Sequence, residues 1–158
     1  MVEAVARTRD PESEVRALLD SYCDAVRASD LDGIVSHYAP DVIAYDAAWQ
    51  LEFSGVAAYR AHWKTCLDMC RHTRFEPRAP VIAASGDVAF AHCLLHCGAV
   101  DPDGQEQSGW VRVTWALRRR NGRWLVAHEH YSVPFDPESG KALFALQPET
   151  IEQRQSLA

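Results

Sequence analysis

The sequence predicts an α+β fold: a cone-shaped, curved antiparallel sheet wrapped around helices. Three observations predict it. Apolar residues recur at helical spacing through the first part of the chain, up to about residue 71. Four strand-length runs separated by turn signals fill residues 74–133. The last two of these runs, in WVRVTWALRRRNGRWLVAHEHYSVPF, flank Asn121-Gly122. That dipeptide is the strongest short-range hairpin signal, because both central residues of a type I′ turn need positive φ.

The first helix opens at Asp10-Pro11, with Asp as N-cap, Pro in the first turn and Glu12 and Glu14 against the positive helix end. Val15, Leu18, Leu19, Tyr22 and Val26 form its apolar stripe. Asp30 caps a second helix, Leu31–Tyr38, which Pro40 stops. Val42–Asp46 and Trp49–Phe53 read as short strands joined at Ala47-Ala48. A third helix follows, about Val56–Arg71, with Val56, Tyr59, Trp63, Cys66, Leu67 and Cys70 on one face. His62 sits at the edge of that face, and no role follows for it. The four long strands are placed at about Arg74–Ala84, Asp87–Val100, Gln107–Arg119 and Arg123–Val133. Residues 1–11 read as an N-terminal extension, 12–135 as the domain and 136–158 as a tail. The tail's apolar patch Ala142–Leu146 would dock back on the domain or pack on a partner.

The chain has 158 residues, enough for one domain with a proper core, and is 47% hydrophobic and 24% charged. Its net charge of −6 argues against nucleic acid as a partner, since that needs a basic face. Arg118-Arg119-Arg120 beside a hairpin turn reads as a solvated charge run. No run approaches the ~20 apolar residues that span a bilayer, and MVEAVARTRD lacks the apolar core of a secretory signal. A cytoplasmic location is therefore expected. Five cysteines, an odd number with no C-x-x-C, read as buried free thiols.

Gly122-Arg123-Trp124 leading into His128-x-His130-x-Ser132, on this order of elements, resembles the SnoaL-like branch of the nuclear transport factor 2-like superfamily, over roughly residues 12–135. That superfamily includes ketosteroid isomerases, limonene-epoxide hydrolases, scytalone dehydratase and polyketide cyclases. The resemblance implies an α+β barrel-like cone with a cavity between helix and sheet. It also implies a homodimer formed through the sheet, and no cofactor. Carried over residue by residue from the ketosteroid isomerases, it puts Tyr22 at a pocket tyrosine and Asp46 at the general base. Thr114 falls at the second oxyanion donor, where the isomerases have a protonated aspartate.

Each candidate also has a structural reading. Asp46 is either a general base raised in proton affinity by an apolar cavity, or a turn residue capping backbone N–H groups. Tyr22 is either a pocket donor or core. Glu129 is either an inward acid/base group, or the partner of an arginine such as Arg112, or an ordinary surface residue. The strand phase suggested by the pairing turns Ala127, Glu129 and Tyr131 inward and His128 and His130 outward; a single β-bulge would invert it. Tyr131, Trp63 and Trp49 are expected to line the pocket, with Arg112 and His130 as further substrate-binding candidates. His128 and His130 share a face but lack an obvious third ligand, and His92 and His96 are ~13 Å apart on a strand, so no metal site is expected.

The function these readings support is a cofactor-free acid–base enzyme acting on a small, largely apolar metabolite. Asp46, Tyr22 and Glu129 would be catalytic, and isomerisation, cyclisation and dehydration all fit. The alternative is a non-catalytic binding or dimerisation module.

Overall fold

The computed structural model describes residues 10–148. In chain order these form α1 (Pro11–Arg27), α2 (Leu31–Val35), β1 (Tyr38–Tyr45), β2 (Phe53–Ser54), α3 (Val56–Met69), β3 (Arg71–Ser85), β4 (Val88–Val100), β5 (Glu106–Arg120) and β6 (Arg123–Ser132). The strands make one curved, unclosed sheet in the order β2-β1-β6-β5-β4-β3. Neighbours are antiparallel except β1 and β6, which run parallel. Residues 1–9 of the expected N-terminal extension and residues 149–158 of the tail lie outside the described residues.

The helix caps act as the sequence suggests. Ser13 N–H donates to the Asp10 carboxylate, and Gly33 N–H donates to that of Asp30. The stripe on α1 is buried as Val15, Leu19, Tyr22, Cys23 and Val26 against the concave face. At the main hairpin Asn121 and Gly122 both adopt positive φ, 52° and 74°. All five cysteines are free.

Three local expectations fail for identifiable reasons. The second helix ends at Val35 rather than Tyr38, and Pro40 lies inside β1 instead of stopping a helix. Extended backbone lets Tyr38 reach the core. The proline, which has no N–H to give, falls where the β1–β6 register is interrupted between Tyr38 and Ile43. The Trp49–Phe53 strand is reduced to Phe53–Ser54, so residues 46–52 are a loop and not a tight hairpin. The third departure is in β6. Ala116 pairs with His128 while Leu117 pairs with Val126, leaving Ala127 as the extra residue of a bulge. Trp124 and Val126 point inward before it, and Glu129 and Tyr131 after it. Ala127, expected inward, is the residue at which the phase changes.

The tail folds back along its described length. Phe135 bridges Ala142, and Leu143 N–H donates to the Pro134 carbonyl. Phe144 then lies over Gly109 so closely that a Cβ at 109 would stand 2.8 Å from the Phe144 carbonyl oxygen.

Candidate functional site

The chemistry-bearing residues converge between α3, the loop after β1 and the concave face of β6. Glu129 is fully buried at 0% exposure, held there by the phase change at the bulge. Four tyrosines surround it. Tyr38 OH donates to Glu129 Oε1 at 2.8 Å, Tyr59 OH donates to the same oxygen, and Tyr22 OH lies 3.5 Å from Oε2. Tyr22 also meets Tyr38 OH at 2.8 Å and Tyr131 OH at 3.2 Å, while Trp63 Nε1–H donates to Tyr38 OH at 3.1 Å. A carboxyl group removed from water holds its proton more tightly. Burial pushes Glu129 up to about 8, with the charge of Asp46 adding to the rise; the Tyr59 and Tyr38 hydroxyls and the Trp115 indole N–H oppose it. Burial, then the Glu129 charge, raises Tyr22, Tyr38, Tyr59 and Tyr131 well above the usual tyrosine value. All four therefore remain neutral hydrogen-bonding groups.

The network runs outward through one side chain. Tyr59 OH also lies 3.4 Å from Asp46 Oδ2, so a single hydroxyl stands between two carboxyl groups. Asp46 Oδ2 in turn is 3.0 Å from His62 Nε2. The Asp46 side chain keeps 19% of its exposure, and His62 is buried on α3. Nε2 also lies 3.7 Å from Cys66 Sγ, one turn on along α3, while the second nitrogen of His62, Nδ1, makes no hydrogen bond among the described residues. The ring is fixed by stacking on Tyr59 (centroids 5.5 Å, planes 8° apart) and by Phe53 at 4.2 Å.

Two pockets have largely apolar walls. One, of about 430 Å³, has His62 in its wall together with Trp49, Gln50, Phe53, Ala58, Ala61 and Thr65. The other, of about 290 Å³, is apolar and lies under the returning tail, between Phe144 and Cys97, Gly109 and Val111. Burial raises the Cys97 and Cys66 thiols to about 12, and the Asp46 charge adds to both shifts. These thiols are protonated near neutrality and are weak nucleophiles.

The structure brings Asp46, Tyr22, Glu129, Tyr131 and Trp63 into one network and sets Trp49 at the adjacent pocket. Thr114, Arg112 and His130 do not join them. Two-residue alternation puts Val113, Trp115 and Leu117 inside, and Thr114 and Arg112 on the exposed outer face. Thr114 pairs with the exposed His130; the residue opposite Glu129 is Trp115. The expected second oxyanion position is therefore on the wrong side of the sheet. Arg112, exposed outside, is no partner for Glu129. His128, half-buried, has Nδ1 2.7 Å from the Ile43 carbonyl oxygen, a strand-to-strand tie. Among the described residues no three His, Cys, Asp or Glu side chains gather as a metal site.

Sequence reasoning missed three members: His62, Tyr38 and Tyr59. His62 follows Tyr59 by three residues on α3, inside the face that carries Tyr59, Trp63 and Cys66. A histidine in such a stripe is buried and needs a partner, and that signal was present.

Comparison with known proteins gives a consistent family. A family model described as a SnoaL-like domain matches residues 15–136. An NTF2-like protein of unknown function from Pseudomonas putida KT2440 is 45% identical, with a TM-score of 0.80 over 87% of this chain and 96% of that one. A putative calcium/calmodulin dependent protein kinase II association domain from Xanthomonas campestris has a TM-score of 0.70 at 19% identity, covering 89% of this chain and 94% of its own. A ketosteroid isomerase-like protein from Erwinia carotovora atroseptica has a TM-score of 0.68 at 16% identity, covering 79% and 97%. At those two identities the likeness concerns the fold alone. No curated protein matches the chain. No helix among the described residues is long and apolar enough to cross a membrane.

Proposed function

Because the chain belongs to the SnoaL-like domain family, within the NTF2-like superfamily, we propose that it is a cofactor-free acid–base enzyme acting on a small, largely apolar metabolite. The observation that carries this is the 3.0 Å contact of Asp46 Oδ2 with His62 Nε2 at a pocket wall. A carboxylate accepting from Nε2–H fixes the imidazole in one tautomer and leaves Nδ1 as the proton acceptor. His62 would take a proton from carbon next to a carbonyl, with the C–H electron pair moving onto the carbonyl oxygen. Asp46 would stabilise the resulting imidazolium. Return of the proton at another carbon completes an isomerisation. Glu129 and Tyr22 lie too deep to touch a ligand in this pocket; Glu129 acts through Tyr59 on Asp46.

A ketone with acidic α-protons, 2-tetralone, tests this in heavy water. The protein is expected to accelerate deuterium incorporation next to the carbonyl, and His62→Gln to remove about a hundredfold or more of that acceleration. Equal acceleration by the variant would contradict the assignment. One observation favours a non-catalytic binding module instead: the space around Glu129 is filled by aromatic side chains, with Tyr22, Tyr59 and Trp115 at 0% exposure. Absence of any acceleration by the native protein would favour that reading.

The same proposal includes a cytoplasmic homodimer. The outer face of the sheet exposes Val88, Phe90, Val81 and Tyr45, apolar surface that pairing of two sheets would cover. Sedimentation at micromolar concentration is expected to give twice the 17.7 kDa chain mass, and a monomer there would contradict it.

A further inference from the structure

Trp49 combines two unfavourable features. Its backbone sits at φ 62°, a region that bulky side chains rarely adopt, and its indole is 64% exposed. It lies in the loop between β1 and β2, and it forms one wall of the 430 Å³ pocket with Gln50. Ala58, Ala61 and Thr65 of α3 also line it, the first two with only methyl side chains. Phe53, 5% exposed, and His62 add aromatic lining, and the His62 and Trp49 rings meet in a T-shaped contact at 5.5 Å and 72°.

The polar side chains lining it are few: Gln50, His62 and Thr65. Thr65 Oγ1–H donates to the Ala61 carbonyl at 3.1 Å, so the hydroxyl offers the pocket lone pairs only. Gln50 adds a carboxamide at the rim. His62 Nε2 lies 3.0 Å from Asp46 Oδ2 and 3.7 Å from Cys66 Sγ; in the tautomer proposed above, Nδ1 is an acceptor without a partner among the described residues. A pocket of this size lies within the range of about 300–1,000 Å³ used for small ligands, and its mostly apolar lining with one oriented acceptor is the usual design. An indole face prefers a second π-system in offset or edge contact to a saturated ring of equal area. A buried imidazole acceptor prefers a hydroxyl donor to a bare hydrocarbon.

We propose that this pocket binds a flat aromatic ring carrying a hydroxyl group, with the ring against Trp49 and the hydroxyl donating to His62 Nδ1. The proposal names a substrate class for the acid–base reading above and rests on it for the role of His62. A planar hydroxylated ring is also the shape of an enol formed by proton transfer at a ring ketone, so one pocket geometry serves ligand and intermediate.

Calorimetric titration with 2-naphthol tests it, with decahydro-2-naphthol as the saturated comparison. The native protein is expected to bind 2-naphthol at least tenfold more tightly than the saturated alcohol. Trp49→Ala should weaken 2-naphthol binding about tenfold and abolish the preference, and Trp49→Phe should restore most of both. Trp49 is exposed, so neither variant threatens the core. Equal affinity for the two alcohols, or 2-naphthol affinity unchanged in Trp49→Ala, overturns the proposal. That failure is separable from failure of the acid–base reading. Loss of 2-tetralone exchange in His62→Gln with binding indifferent to Trp49 sinks only the ligand class. Exchange undiminished in His62→Gln with Trp49-dependent binding sinks the catalytic role and leaves the aromatic site standing.

Discussion

The stability of this protein is expected to fall as pH rises from about 4.5 to about 8, and Glu129→Gln is expected to abolish that part of the fall. Glu129 has an ordinary value of 4.5 in the unfolded chain and about 8 in the fold. Below the lower value both states hold the proton, and the folded state carries no penalty. Between the two, the unfolded chain has released the proton while the folded protein retains it, so the unfolded state binds fewer protons and stability declines with pH. The slope is about 1.4 kcal/mol per pH unit, amounting to roughly 4–5 kcal/mol across the window. Above about 8 both states are ionised and the decline stops. Glutamine keeps the shape and the acceptor oxygen that Tyr38 and Tyr59 use, but it has no proton to lose. Denaturant unfolding of both proteins from pH 5 to pH 9 measures the difference directly, because contributions from other groups cancel. A difference that is flat with pH would show that Glu129 is ionised throughout.

The second large effect concerns Asp46. Asp46→Asn is expected to reduce exchange of 2-tetralone by about 10²–10⁴-fold while leaving the fold intact. The asparagine side chain can present its NH₂ group to Nε2, and that favours the tautomer with hydrogen on Nδ1, the wrong nitrogen for accepting a proton in the pocket. The loss should therefore approach that of His62→Gln, and the two substitutions together should cost little more than either alone, because they disable one unit. The 19% exposure of the Asp46 side chain makes the substitution tolerable for folding. Full activity in Asp46→Asn would leave the His62 contact a structural tie.

Much of the fold is readable wherever one local signal decides the outcome. Asp10-Pro11 starts a helix and Asn121-Gly122 turns a hairpin because their backbone preferences are strong and need no distant partner. Pro40 shows the opposite case. Its preference to end a helix is overridden by the anchoring of Tyr38 at Glu129 and by the gap in the β1–β6 ladder. The bulge at Ala127 is invisible in the sequence, since nothing about an alanine in an apolar strand marks an extra residue. Yet that bulge decides which of Glu129 and His128 enters the core. Glu129 was legible as an unusual residue, whereas Thr114 was carried into the site by resemblance although it alternates with Val113, Trp115 and Leu117, which fill the interior. The network was harder to see. Asp46 stands in a loop, Tyr59 and His62 on α3 and Glu129 on β6, so their meeting depends on the curvature of the sheet.

In the proposed mechanism Asp46 holds His62 with its hydrogen on Nε2, and Nδ1 serves the pocket as acceptor. Nitrogen-15 spectroscopy of the imidazoles at neutral pH, with His62 assigned by its absence in His62→Gln, tests this without any ligand. A protonated Nε2 and an unprotonated Nδ1 are expected for His62, with that pattern exchanged in Asp46→Asn. A hydrogen found on Nδ1 in the native protein would contradict it.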